Sequence, residues 1–191
     1  MNGTMKGAVA ELKEILDRFF ETRSSVFEAA AEALSGSLRA GGKILVFGNG
    51  GSAAEAQHFA AELVNGFLER TRPGLPAVAL SADTASLTAI GNDRGFDRVF
   101  SRQVEALGRP GDAAIGLTTS GRSPDVILAL QSARAGKLTT IGLTGAGGGD
   151  VPRWADYLLD VPSCSVPRVQ EAHLFILHFL ALRLDEPRDG T

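Results

Sequence analysis

The spacing of apolar positions along the chain changes near residue 42. Up to that point Leu12, Ile15, Leu16, Phe19 and Phe20 recur at three- and four-residue intervals, the stripe of a helix over residues 8–20. Ser24-Ser25 offers an N-cap and Glu28 a first-turn acid, so a second helix is expected up to Gly41-Gly42. Beyond it, short continuous apolar runs appear at residues 44–47, 77–80, 113–117, 139–143 and 157–161. They are aliphatic or β-branched without polar alternation, as strands buried on both faces are. Helical patterns separate them at 53–68, 85–90, 97–107 and 125–135, and a last helix is expected over 168–182. This alternation predicts a single α/β domain over 1–191: a doubly wound, five-stranded parallel sheet flanked by helices. An N-terminal helical segment (1–41) precedes the α/β core (42–185). The glycine run at 145–149 is expected to be the least ordered part.

In such a sheet ligands bind beyond the carboxyl ends of the strands, so the residues just after each apolar run are the candidates for chemistry. The first run leads into Gly48-Asn49-Gly50-Gly51-Ser52 and a helix carrying His58 and Glu62. A glycine turn entering a helix N-terminus can cradle an anion with backbone N–H groups and the helix dipole. His58 and Glu62, four residues apart, share a helix face and read as an acid/base or metal pair. The spacing fits a dinucleotide fingerprint poorly, because Ala53 stands where a third glycine is needed. The third run leads into Thr118-Thr119-Ser120-Gly121-Arg122-Ser123, with four hydroxyls where a helix cap needs one. The second leads to Asp83, a cap or a ligand, and a helix later to Asn92-Asp93, a turn or a ligand pair. In the last helix Gln170, Glu171, His173 and His178 lie among Leu174, Phe175, Ile176, Leu177 and Phe179. Taken alone, His178 reads as a core histidine and His173 as a surface or interface group.

Composition narrows the function classes. Hydrophobic residues make up 44% and charged residues 21% of 191, ordinary for a soluble globular protein. With 19 basic and 22 acidic residues the net charge is −3 and no basic block exists, which disfavours nucleic-acid binding. The lone Cys164 rules out an internal disulfide and a thiolate metal cluster, fitting a reducing cytoplasm. The start of the chain lacks the apolar core of a signal peptide. The apolar stretch at 174–182 is too short for a bilayer and reads as a buried helix face, so no membrane association is expected.

Taken together, the ordered set resembles the sugar isomerase (SIS) domain, and specifically the phosphoheptose isomerases. It comprises the N-terminal helices, Gly48 to Ser52, His58 to Glu62, Gly91-Asn92-Asp93-Arg94-Gly95-Phe96, Thr118 to Ser123, and Gln170-Glu171-Ala172-His173 through His178. The resemblance implies interconversion of sedoheptulose 7-phosphate and D-glycero-D-manno-heptose 7-phosphate through an enediol. It implies a phosphate site at Ser52, Thr118, Thr119, Ser120 and Ser123 with adjacent backbone N–H groups, Gly50 and Gly51 among them. Asn49, Asn92, Asp93 and Gln170 would contact the sugar, Glu62 would be the base, and His178 the acid/base partner. It further implies zinc held by His58, Glu62, Gln170 and His178, and a homotetramer assembled through the N-terminal helices. Gln170 and His178 are eight residues apart, about 12 Å along a helix, so adjacent subunits are expected to complete the site. The chain departs from the pattern at Thr118, where Ser is frequent, at Arg122, and at Pro167. The rival reading is a non-catalytic SIS protein that binds a replication-initiator protein. A sensor that binds the sugar phosphate without turnover is a third. Such binding proteins resemble the isomerases but lack the Glu and terminal His, whereas this chain has Glu62 and His178.

Overall fold

The computed structural model describes residues 4–185. Five parallel strands form its sheet: β1 (Ile44–Gly48), β2 (Ala77–Ala79), β3 (Ala113–Thr118), β4 (Thr139–Thr144) and β5 (Tyr157–Asp160). Their order is β2-β1-β3-β4-β5, so the direction of winding reverses between β1 and β3. That reversal is where a doubly wound sheet opens a crevice beyond its strand ends. Gly48 pairs with Leu117 across β1 and β3, so the glycine turn and the hydroxyl loop leave the sheet side by side.

The helices are α1 (Met5–Arg39), α2 (Gly51–Asn65), α3 (Thr84–Arg94), α4 (Ser101–Leu107), α5 (Pro124–Ala135) and α6 (Val166–Asp185). Successive strand side chains point to opposite faces, and both faces are covered. Ile44 and Val46 join Ile115, Leu117, Ile141 and Leu143 beneath α1, α2 and α6. Leu45 and Phe47 pack with Val104, Val126 and Leu130 of α4 and α5 on the other side. The five expected strands are all present, each within one or two residues of its expected end.

The N-terminus departs from expectation. Instead of two helices there is one of 35 residues, capped by the Thr4 hydroxyl, which accepts from the Gly7 N–H at 3.1 Å. Ser24 is no cap: its hydroxyl donates back to the Phe20 carbonyl inside the helix. The buried stripe of Phe19, Phe27, Ala30, Ala31 and Leu34 runs across the serine pair, and its packing on β5 and α6 overrides the local capping preference. At 1.5 Å per residue α1 is about 52 Å long, much longer than any strand beneath it. Met5 and Val9 in its first two turns are exposed. Val9, Leu12, Leu16 and Phe20 then line, with Phe175 of α6, an apolar cavity of about 430 Å³.

Two further expectations are corrected. Residues 97–107 are not one helix, because a 3₁₀ turn at Phe96–Arg98 precedes α4. The glycine run at 145–149 is not a loose segment. The Gly145 N–H donates to the Thr119 carbonyl at 3.0 Å and the Asp150 N–H to the Gly121 carbonyl at 2.8 Å. Positive φ at Gly147, Gly148 and Gly149 folds the run tightly against the hydroxyl loop.

The single-helix assignment has a direct check. Ser24→Ala should leave stability unchanged or raise it by up to about 0.5 kcal/mol, since it removes only a back-bonded hydroxyl. Loss of a true cap would instead cost about 1 kcal/mol in chemical denaturation.

Candidate active site

The cradle begins where β1 ends. Gly50 caps α2 with φ 56°, a conformation that a residue with a side chain adopts only under strain. The N–H groups of Ser52, Ala53 and Ala54 donate back to the carbonyls of Asn49 and Gly50, so the turn is tighter than an open nest. Neither the Gly50 nor the Gly51 N–H donates to a partner among the described residues. In that loop the Thr118 hydroxyl lies 2.9 Å from Ser123 Oγ and 3.4 Å from Ser120 Oγ. Ser123 occupies the N-cap position of α5, yet its hydroxyl makes no capping bond. Its hydroxyl is turned instead toward Thr118, which favours the ligand interpretation over the cap. Gly121, with φ 66°, is pressed against the Gly148 carbonyl with no room for a Cβ, so the glycine run buttresses the loop from behind.

Asn49 is oriented by a residue that the sequence did not single out. Its Nδ2 donates to Asp125 Oδ2 at 2.7 Å, and Asp125 is buried at the start of α5. Burial pushes the Asp125 carboxyl up and the Asn49 amide pulls it back, the net shift being upward. Asn92 and Asp93 do not form a turn; they close the last turn of α3, where the Asn92 amide donates to Asp93 at 2.8 Å. Asp83 caps that helix through the Ser86 N–H. Asp93 faces an open cavity of about 420 Å³ that is also lined by Arg94, Arg98 and Arg102.

The remaining candidates come from α2 and α6, which lie against each other in matching order. The Gln170 amide covers Gly51, leaving no room for a Cβ there. His173 comes next, against Glu55, with Nδ1 and Oε2 3.9 Å apart. His178 then meets His58 at 2.7 Å between the two Nε2 atoms, and His58 Nε2 lies 3.5 Å from Glu62 Oε1. At 2.7 Å one ring must carry the shared proton while the other accepts it. Burial lowers the His178 pKa, the neighbouring His58 lowers it further, and Glu62 opposes both. Phe67 stacks on His178 at 5.3 Å between ring centroids, with 16° between the planes. It was expected inside the preceding helix, but α2 stops at Asn65 and the chain turns back through Gly66.

His178 is therefore not a core histidine, and His173, fully buried, is not a surface group. The ligand atoms of His58, Glu62 and His178 all lie within 4.8 Å of one another, a set able to hold a divalent metal ion. Two imidazoles and a carboxylate are also a donor set that suits zinc. Gln170 of the same chain sits with the cradle, two turns of α2 before His58, and not with this triad. The residues that the sequence pattern missed are Glu55, Phe67 and Asp125. Only Asp125, directly after Pro124 and the four hydroxyls, carried a local hint.

Comparison with known proteins shows what the whole chain resembles. A family model described as the SIS domain matches residues 9–145. A phosphoheptose isomerase of Roseiflexus sp. (strain RS-1) is 52% identical over 165 residues, covering 86% of this chain and 83% of its own. That of Trichlorobacter lovleyi is 57% identical over 150 residues, covering 78% and 76%. The solved phosphoheptose isomerase of Neisseria gonorrhoeae superposes with a TM-score of 0.88 at 43% identity, over 94% of this chain and 96% of that one. The Francisella tularensis structure gives 0.87 at 35% identity, over 95% and 96%.

The electrostatics of the triad can be tested apart from activity. In protein held with a chelator, Glu62→Gln removes the one group that favours His178 protonation among the described residues, so the His178 pKa should fall further in an NMR titration. A rise would show that Glu62 does not face the ring as placed.

Proposed function

The chain belongs to the SIS domain family and, within it, to the phosphoheptose isomerases, and on that premise we propose that Glu62 and His178 are its proton-transfer pair. The substrate is sedoheptulose 7-phosphate and the product D-glycero-D-manno-heptose 7-phosphate. The observation that carries the reading is the meeting of Glu62, His58 and His178 at one point on the α2–α6 seam that also bears the cradle. The phosphate is held by the hydroxyls of Ser52, Thr118, Thr119, Ser120 and Ser123 with the Gly50 and Gly51 N–H groups. Asn49, fixed by Asp125, contacts the sugar hydroxyls, as do Asn92, Asp93 and Gln170.

Moving the carbonyl between C2 and C1 requires a base at a carbon-bound proton and a second group to manage the oxygen. Glu62, as carboxylate, takes the C1 proton of the open-chain ketose and returns it at C2 by way of the enediol. His178 exchanges a proton with the substrate oxygens and assists ring opening. Phe67 fixes the plane of its ring. Zinc is the metal we assign to His58, Glu62 and His178, with a Gln170 as fourth ligand. When bound, it would serve as a Lewis acid toward the developing enediolate.

Geometry favours shared sites. Glu62 lies ten residues after Ser52, about 15 Å along α2, which a stretched seven-carbon phosphate barely spans. Gln170 and His178 are likewise too far apart on α6 to meet at one ion. We therefore assign the functional unit to a homotetramer in which adjacent subunits complete each site, assembled through the exposed apolar face of α1. The enzyme acts in the cytoplasm on a soluble sugar phosphate, without nucleic acid or membrane. Among the described residues no helix is long and apolar enough to cross a membrane.

The reaction is tested by incubating the protein with sedoheptulose 7-phosphate in D₂O and monitoring it by NMR. Deuterium at C2 of a new aldoheptose phosphate is expected, with no exchange as the overturning result. Glu62→Gln should lower turnover by about 10²–10⁴-fold while leaving the fold intact; near-normal activity would remove Glu62 as base. Full activity from a monomer, shown by light scattering, would remove the shared site. Metal analysis should find one zinc per chain in the wild type and none in His58→Ala.

A further inference from the structure

Between the cradle and the acid/base pair lies a buried pair of ionisable groups that the mechanism does not use. Glu55, on α2, is only 8% exposed, and His173, on α6, is wholly buried. Two of their atoms, Glu55 Oε2 and His173 Nδ1, have no hydrogen-bond partner and face each other at 3.9 Å. The outer end of each residue is engaged. His173 Nε2 lies 3.1 Å from the Thr144 carbonyl at the end of β4, and the Glu55 carboxyl accepts from the Ser52 hydroxyl.

The chemistry of these contacts fixes where protons must be. A carbonyl oxygen only accepts, so His173 Nε2 carries the hydrogen and the neutral ring presents a bare Nδ1. A bare nitrogen opposite an ionised carboxylate would leave two acceptors facing each other in a dry site, and each buried unsatisfied group is costly. One proton between them satisfies both. Burial favours the same state: it raises the Glu55 pKa to about 7 against the pull of Ser52, and lowers that of His173 to about 4.

We infer that Glu55 is a positioning residue: as a protonated carboxyl bridging His173 Nδ1 and the Ser52 hydroxyl, it completes a buried line from the Thr144 carbonyl to the phosphate cradle and sets the direction of Ser52 Oγ. Closing the 3.9 Å gap to a hydrogen bond needs only a small rotation of the carboxyl. With its hydrogen held by Glu55, Ser52 Oγ presents lone pairs to the ligand, which suits a protonated phosphate oxygen or a sugar hydroxyl. The line also ties α2 to α6 and to the sheet at the level where the sugar phosphate must lie. The inference rests on the assignment of Ser52 to the cradle.

The test uses the fact that a glutamine amide copies a protonated carboxyl, one donor toward Nδ1 and one acceptor toward Ser52. Glu55→Gln should keep KM for the sugar phosphate within about threefold of wild type, whereas Glu55→Leu should raise KM about 3–10-fold with a smaller change in kcat. Equal damage in both variants would overturn the inference, because it would mean that Glu55 acts as an anion. If Glu55→Leu does not fold, ¹⁵N-histidine NMR of the intact wild-type enzyme decides the matter. The expected signature is a neutral His173 protonated at Nε2, and a protonated Nδ1 would overturn the assignment. Ser52→Ala separates the two levels: a loss of sugar-phosphate affinity upholds the cradle, whereas unchanged affinity removes the cradle reading and this inference with it.

Discussion

The side-by-side alignment of α2 and α6 is the constraint on which the site depends. Three successive turns of the two helices meet in the same order: Gly51 with Gln170, Glu55 with His173, and the His58–Glu62 pair with His178. Helices that run in step place residues seven or eight positions apart on each helix against their counterparts on the other. Ile176, Leu177 and Leu180 of α6 and Phe59 and Leu63 of α2 join the same buried cluster over the sheet, fixing the register. Shifting one helix by a single turn, about 5.4 Å, would part all three pairs at once.

The sheet supplies the other half of the arrangement. Because β1 and β3 are neighbours at the point where the winding reverses, the glycine turn and the hydroxyl loop emerge together. The loop does not hold its shape alone. Thr118, Ser120 and Ser123 gather their hydroxyls on one side, while the glycine run after β4 closes on Gly121 from the other. Glycines serve there because two backbones approach too closely for any side chain. Rigid strand ends and a buttressed loop are what preorganised phosphate binding requires, since donors fixed in advance need no reordering when the ligand arrives.

Among the described residues, several apolar features stay exposed. Helix α3, which carries Asn92 and Asp93, has no fully buried residue, and the first turns of α1 leave Met5 and Val9 exposed. Phe175 and Phe179 of α6 extend that apolar surface, stacked on each other and edge-on to Phe20. Apolar surface of this kind, continuous along two long helices, is the usual material of contacts between subunits. The same helix thus carries His178 beside His58 and exposed Phe179 one residue later.

By itself the sequence determined the strand count and the parallel α/β architecture, and which residues follow the strand ends. These depend on local rules: unbroken apolar runs make buried strands, glycines after a strand make turns, and His58 and Glu62 share a helix face by spacing alone. What only the tertiary structure decided is how separate segments meet. Local capping rules divided α1 at Ser24, but burial of Phe19, Phe27 and Leu34 against β5 and α6 carries the helix through. Local composition made His178 a core residue and His173 a surface or interface one; both face α2, but His173 is sealed against Glu55 whereas His178 stays half-buried beside His58. Glu55 and Asp125 gave little sign of their roles, since a carboxylate in a helix is ordinarily solvated. Each becomes special only through burial beside a group distant in sequence, His173 for one and Asn49 for the other. Burial and long-range pairing are properties of the packed chain, and no window of neighbouring residues contains them.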